Sequence, residues 1–158
     1  MHSEIVNGFG FSVPAHNPDL FKKFIFNHQK AIEEQGTPEE KKLLNTARFD
    51  KNYSFDYDDI EKDFSLESVV NEQEGPHAII GNIIQYETCI RMRYEPGDGD
   101  TDSDPAIIFA ENYPWNLNAI EKNLQRDSFR NLLYNYLREL DSAASITDVD
   151  TIRIEYYC

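Results

Sequence analysis

The chain begins on a two-residue alternation. Between residues 4 and 13, Ile5, Asn7, Phe9, Phe11 and Val13 fall on one side and Gly8 and Gly10 on the other, the pattern of a strand with one covered face. Glycine inside a strand marks a bulge or the close approach of another backbone. A strand of this kind needs a second layer to bury its apolar side, and the residues that follow supply one at helical spacing.

Asn17-Pro18 reads as an N-cap and first helical residue. Leu20, Phe21, Phe24, Ile25, His28 and Ile32 then share one face and Gly36 is the stop, so the spacing predicts one amphipathic helix between Pro18 and Gly36. Thr37-Pro38-Glu39-Glu40 is a capping box that opens a second helix, with Leu43, Leu44 and Ala47 behind it. Residues 54–74 suggest one or two short helices closed by Gly75-Pro76. Residues 77–87 form an apolar run that fits a buried helix or a strand; its length and the preceding proline favour helix. Phe129, Leu132, Leu133, Tyr136, Leu137 and Leu140 make the clearest apolar stripe, a helix capped by Asp127 or Ser128 and expected to cross the sheet.

The period returns to two at residues 89–94 and in the short apolar run Ala106–Ala110, which read as a hairpin with its tip at 95–105. It returns again at Ile152, Ile154 and Tyr156, a last strand. The order strand, helices, hairpin, helix, strand predicts an α+β domain over residues 1–158, with a mostly antiparallel sheet of about four strands and helices packed on one face.

The chain carries 29 acidic and 15 basic residues, a net charge of −14, beyond the magnitude of ~2 to 8 that keeps a small domain soluble. Residues 50–104 hold 15 of the acids and 4 of the bases, so most of the excess is in the middle third. Two clusters hold nine of those 15 acids. Asp56, Asp58, Asp59, Glu61 and Asp63 span about 10 Å if helical, roughly one charge per 2 Å of axis, near the ~1.7 Å spacing of charge along duplex DNA. Asp98, Asp100, Asp102 and Asp104 alternate along the hairpin tip, a solvated turn in the plainest interpretation.

The same aspartates raise a hard-cation alternative with Glu111 as a further ligand. An EF-hand register from Asp100 would set Asp102, Asp104 and Glu111 at the third, fifth and twelfth places, but Pro105 occupies the place that requires glycine. Tyr113 and Trp115, held in a loop by Pro114, are candidate anchors for a partner or, in a third alternative, for burial between copies of an acidic homo-oligomer.

Enzyme signatures are absent: the sequence has no glycine-rich phosphate loop, no HExxH and no GxSxG. No catalytic residue and no cofactor are assigned. His28 is expected to be a satisfied core histidine, Cys89 a small strand residue, and Arg126, Arg130 and Arg138 an exposed face neutralised by Asp127 and Glu139. Two cysteines without a CxxC spacing suggest free thiols and a cytoplasmic setting, and neither a leader nor a membrane span is expected. Direct nucleic-acid binding is disfavoured by the sign of the charge. The expected partner is the basic surface of another protein, such as a nuclease or other nucleic-acid-binding protein. In charge and size alone the chain resembles viral inhibitors of host defence nucleases, the anti-restriction and anti-CRISPR proteins, and that resemblance implies a DNA-mimicking inhibitor in the host cytoplasm.

Overall fold

The computed structural model describes residues 3–13, 18–49, 76–95, 106–111 and 119–157. They form β1 (Ser3–Val13), α1 (Pro18–Asn27), α2 (Gln29–Gln35), α3 (Pro38–Phe49), α4 (Pro76–Thr88), β2 (Met92–Glu95), β3 (Ala106–Glu111), α5 (Ala119–Leu140), a 3-10 turn (Ile146–Asp148) and β4 (Asp150–Tyr157). The strands make one antiparallel sheet in the order β2-β3-β1-β4. The expected α+β architecture is present, with several helices packed against the sheet.

The first strand is central because its residues can be covered on both sides. Phe9, Phe11 and Val13 pair in register with Ala110, Ile108 and Ala106, which puts all six on one face, and all six are buried. Helices cover that face: the Phe9 ring meets Phe129 of α5 at 5.9 Å, and Ile108 lies under Gly81 of α4. On the opposite face the two glycines make the close approach anticipated from the sequence. A Cβ on Gly10 would collide with the Ile108 carbonyl and the Phe109 backbone, and one on Gly8 with the Phe109 ring. Phe109 is thereby seated against β1 and fully buried.

The capping box at Thr37 forms as expected. Glu40 N–H donates to Thr37 Oγ1 at 3.2 Å, and Thr37 N–H donates to Glu40 Oε1 at 2.9 Å, satisfying two of the donors a helix start leaves open. Residues 77–87 are helical, within α4.

Four local expectations change. The helix expected from Pro18 to Gly36 is two helices, because His28 has φ −115° and ψ 22°, outside the helical well. Its ring is engaged by side chains of α4 and α5. The last long helix begins at Ala119, so Asp127 and Ser128 are interior to it rather than its cap. Cys89 is not a strand residue: it follows α4 with φ 60°, is exposed, and its N–H closes on the Gln85 carbonyl at 2.8 Å. This is the left-handed position that ends a helix, usually held by glycine. Arg130 is not on an exposed face. Its Nε donates to the Val149 carbonyl at 2.9 Å and its guanidinium lies 5.5 Å from the centre of the Phe9 ring, tying α5 to the approach to β4. The expected helices at 54–74 and the hairpin tip lie outside the described residues.

Candidate functional site

The densest polar cluster among the described residues surrounds His28. Three helices end there: α1 at Asn27, α4 at Thr88 and α5 at Leu140. Each helix terminus carries the negative end of its dipole, and the last turns of α4 and α5 add carboxylates at Glu87 and Glu139. Such a convergence calls for a cation, and the His28 imidazole supplies it.

His28 Nδ1 lies 2.8 Å from Glu87 Oε1, and Nε2 lies 2.8 Å from Glu139 Oε2. A neutral imidazole has one N–H and one lone pair, so it can satisfy only one of these carboxylates. Both contacts are hydrogen bonds only when both nitrogens are protonated. Burial of the ring opposes its charge, but the hydrogen bonds and charges of Glu139 and Glu87 outweigh that and hold the His28 pKa above its usual value. Glu139 responds in the opposite sense. Its partial burial would raise its pKa, yet the hydrogen bonds from His28 and from Asn27 Nδ2, the latter at 2.8 Å, hold it below the ordinary carboxylate value.

Aromatic rings enclose this charge. Phe24 lies 4.5 Å and Tyr136 5.4 Å from the His28 ring, centre to centre. The Tyr136 hydroxyl donates to Glu87 Oε1 at 2.8 Å. Burial of Tyr136 and the adjacent Glu87 carboxylate push its ionisation well above the ordinary phenol range, so it stays a donor.

A general base must offer a lone pair to substrate, and both His28 nitrogens are occupied by carboxylates. The two carboxylates approach opposite edges of the imidazole, so the three groups do not converge on one point where a cation could sit. No group of three or more His, Cys, Asp or Glu side chains among the described residues could hold a metal ion. The arrangement is a clasp between helix ends. The expectation of a satisfied core histidine holds for His28, which the sequence placed on the apolar helix face. Its partners carry no sequence signal: spacing pairs Glu139 with the arginines of its own helix and gives Glu87 no partner.

A second polar contact joins α3 to α4. Glu40 is 2% exposed, and besides the capping N–H its Oε1 accepts the Tyr86 hydroxyl at 2.7 Å. Its other oxygen, Oε2, is buried without a hydrogen-bond partner among the described residues.

Of the residues singled out as partner-binding or metal-ligating, Asp56, Asp58, Asp59, Glu61, Asp63, Asp98, Asp100, Asp102, Asp104, Tyr113 and Trp115 lie outside the described residues. Glu111 is described, at the end of β3, where its Oε2 accepts from Arg93 NH1 at 2.8 Å. The Arg93 guanidinium also sits 5.9 Å from the centre of the Phe109 ring.

Two ring systems show where the acidic segments join this framework. His77, at the start of α4, stacks on Tyr94, near the end of β2, with centroids 6.1 Å apart and planes 12° from parallel. In the sequence, segment 50–75 precedes α4 and segment 96–105 follows β2. Among the described residues no helix is long and apolar enough to cross a membrane. Comparison with known protein families, characterised proteins and solved structures finds no match to this chain.

Proposed function

We propose that this chain is a non-enzymatic binding domain that presents acidic segments to a basic surface of another protein, of the kind that ordinarily holds nucleic acid. The observation that carries this reading is the His77–Tyr94 stack, which sets the residue two places beyond segment 50–75 against the residue two places before segment 96–105. Segments 50–75 and 96–105 contain 13 of the 29 acidic residues and 2 of the 15 basic ones, a net charge of −11. The remainder of the chain carries −3. The excess charge is therefore confined to two segments of the sequence, one preceding α4 and one following β2.

Charge gathered in this way acts at a distance. A concentrated negative field speeds the encounter with a basic surface and repels acidic ones. Lasting contact needs desolvated anchors near the charge, a role for which Tyr113 and Trp115 are the candidates. A surface that accepts closely spaced phosphates would accept the carboxylates of Asp56, Asp58, Asp59, Glu61 and Asp63 for the same electrostatic reason, with Asp98, Asp100, Asp102 and Asp104 as a second, sparser row.

The test is affinity capture from lysate with the tagged protein, at low and high salt, with duplex DNA as competitor. A basic nucleic-acid-binding protein that is released by salt and by DNA, and is lost with the quadruple variant D56K/D58K/D59K/D63K, is the expected result. Capture that survives the four substitutions would overturn the reading.

A further inference from the structure

We propose that the outer edge of β4 is a docking surface for a second copy of this chain, forming an eight-stranded sheet across a twofold axis at Ile154.

β4 is an edge strand of eight residues, paired with β1 on one side only among the described residues. Its sequence, DTIRIEYY, has no proline or glycine. Exposed edges are normally protected against strand addition by prolines, bulges or charged side chains; β4 has neither proline nor bulge, and its central charges, Arg153 and Glu155, are of opposite sign and so complementary to a second copy. The other edge, β2, is four residues long and lies against α4.

The side chains specify the partner. Arg153 and Glu155 are exposed, and neither forms an ion pair among the described residues. They share a face with Ile5, which is 45% exposed, since Ile5 pairs with Glu155 in the register of β1 and β4. Ile152 and Ile154, half-buried, lie on the other face beside Val6 and Gly8.

An antiparallel copy of β4 centred on Ile154 sets Arg153 of each chain opposite Glu155 of the other. Ile154 then meets Ile154, and Ile152 meets position 156. Opposite charges and β-branched pairs directly across strands are stabilising, and like charges are not. Sliding by two residues sets Arg153 against Arg153, or Glu155 against Glu155. Sliding by one turns the isoleucines of one strand to the wrong face. Of these registers, the one centred on Ile154 alone sets each Arg153 opposite a Glu155 and keeps the isoleucines on their own face, and a second copy of this sequence supplies it. Pairing would also occupy the open backbone donors and acceptors of the edge. This inference does not depend on the acidic segments and stands or falls separately from the proposed binding function.

The experiment is sedimentation velocity or light scattering on the full chain over a micromolar to millimolar series. A mass of about twice 18.4 kDa is expected for the natural sequence. Arg153→Glu and Glu155→Arg should each give monomer, because each faces like charges across the axis, and the double variant R153E/E155R should restore the dimer. Circular dichroism on each variant confirms that the protomer is folded. A monomeric natural sequence, a dimer indifferent to the single reversals, or a double variant that stays monomeric would each overturn the assignment.

Discussion

Nε2 of His28 lies 2.8 Å from Oε2 of Glu139, across 111 positions of sequence. With Glu87 on the other nitrogen, the contact closes a charged bridge between the ends of three helices. Stability gained this way has a defined pH window. The His28 pKa is raised in the folded chain, so its contribution is complete below the unfolded value of ~6.5 and is lost as pH rises through the higher folded value. The Glu139 pKa is lowered, so its contribution is present above the unfolded value and is lost as pH falls through the lower folded one. The bridge is therefore strongest in mildly acidic solution.

The melting temperature should fall as pH is raised from about 6 to 9, and His28→Gln should flatten that slope. Removing His28 leaves two carboxylates facing each other across the vacated site. A destabilisation of about 2 kcal/mol is expected at pH 6, less than the ~3–5 kcal/mol for breaking a fully buried pair, because Glu87 and Glu139 are 31% and 24% exposed. A parallel pH dependence in the natural chain and the variant, measured by thermal melts, would show that the bridge does not titrate as argued.

What the sequence made legible follows from how local each signal is. The alternation through Phe9 and Phe11, the box at Thr37 and the stripe from Phe129 to Leu140 each encode one element through contacts within a few residues, and each element formed. The His28 break has no such signal. No glycine or proline stands there; the departure from helix coincides with carboxylates that are 59 and 111 positions away, and no periodicity in the first helix can report them. Cys89 misled for a related reason, since a cysteine at the end of an alternating run looks like a strand residue while its backbone ends a helix. The spacing of Arg130 predicts an exposed face because a helical wheel cannot show Val149 coming back over it. The acidic clusters are legible only as charge, which specifies an attraction and no contact geometry.

Glu40 and Tyr86 illustrate a cost that burial imposes on the fold. Among the described residues the buried Glu40 carboxylate has one oxygen partnered and one not, so each donor to it matters more than an average hydrogen bond. Tyr86→Phe removes one donor without changing shape, and a loss of about 1–3 kcal/mol in urea denaturation is expected for a buried charged acceptor left short. Thr37→Ala removes the Oγ1 cap and should cost about 1 kcal/mol. Because the Thr37 Oγ1 accepts from the Glu40 N–H and the Tyr86 hydroxyl donates to the Glu40 carboxylate, both changes act on one residue, and Tyr86→Phe and Thr37→Ala combined should depart from additivity. A Tyr86→Phe variant as stable as the natural chain would mean that water reaches Glu40.

Gly81 and Gly10 are both buried beside the same strand, yet substitution by alanine should act in opposite directions. Gly81 is inside α4, and a Cβ there would meet Ile108 Cγ2 at 3.9 Å, ordinary van der Waals distance. Alanine at this place keeps the helical backbone and reduces the freedom of the unfolded chain, so Gly81→Ala should stabilise by about 0.5–1 kcal/mol. Gly10 is in β1, where the added Cβ would press on the Ile108 carbonyl and the Phe109 backbone. Backbone cannot rotate aside as a flexible side chain does, and Gly10→Ala should cost at least the ~1–3 kcal/mol typical of overpacking. Urea denaturation of the two variants measures both signs at once. Equal and opposite shifts are not required; the argument fails if Gly10→Ala is neutral, because then β3 does not approach β1 as closely as Phe109 and Gly8 indicate.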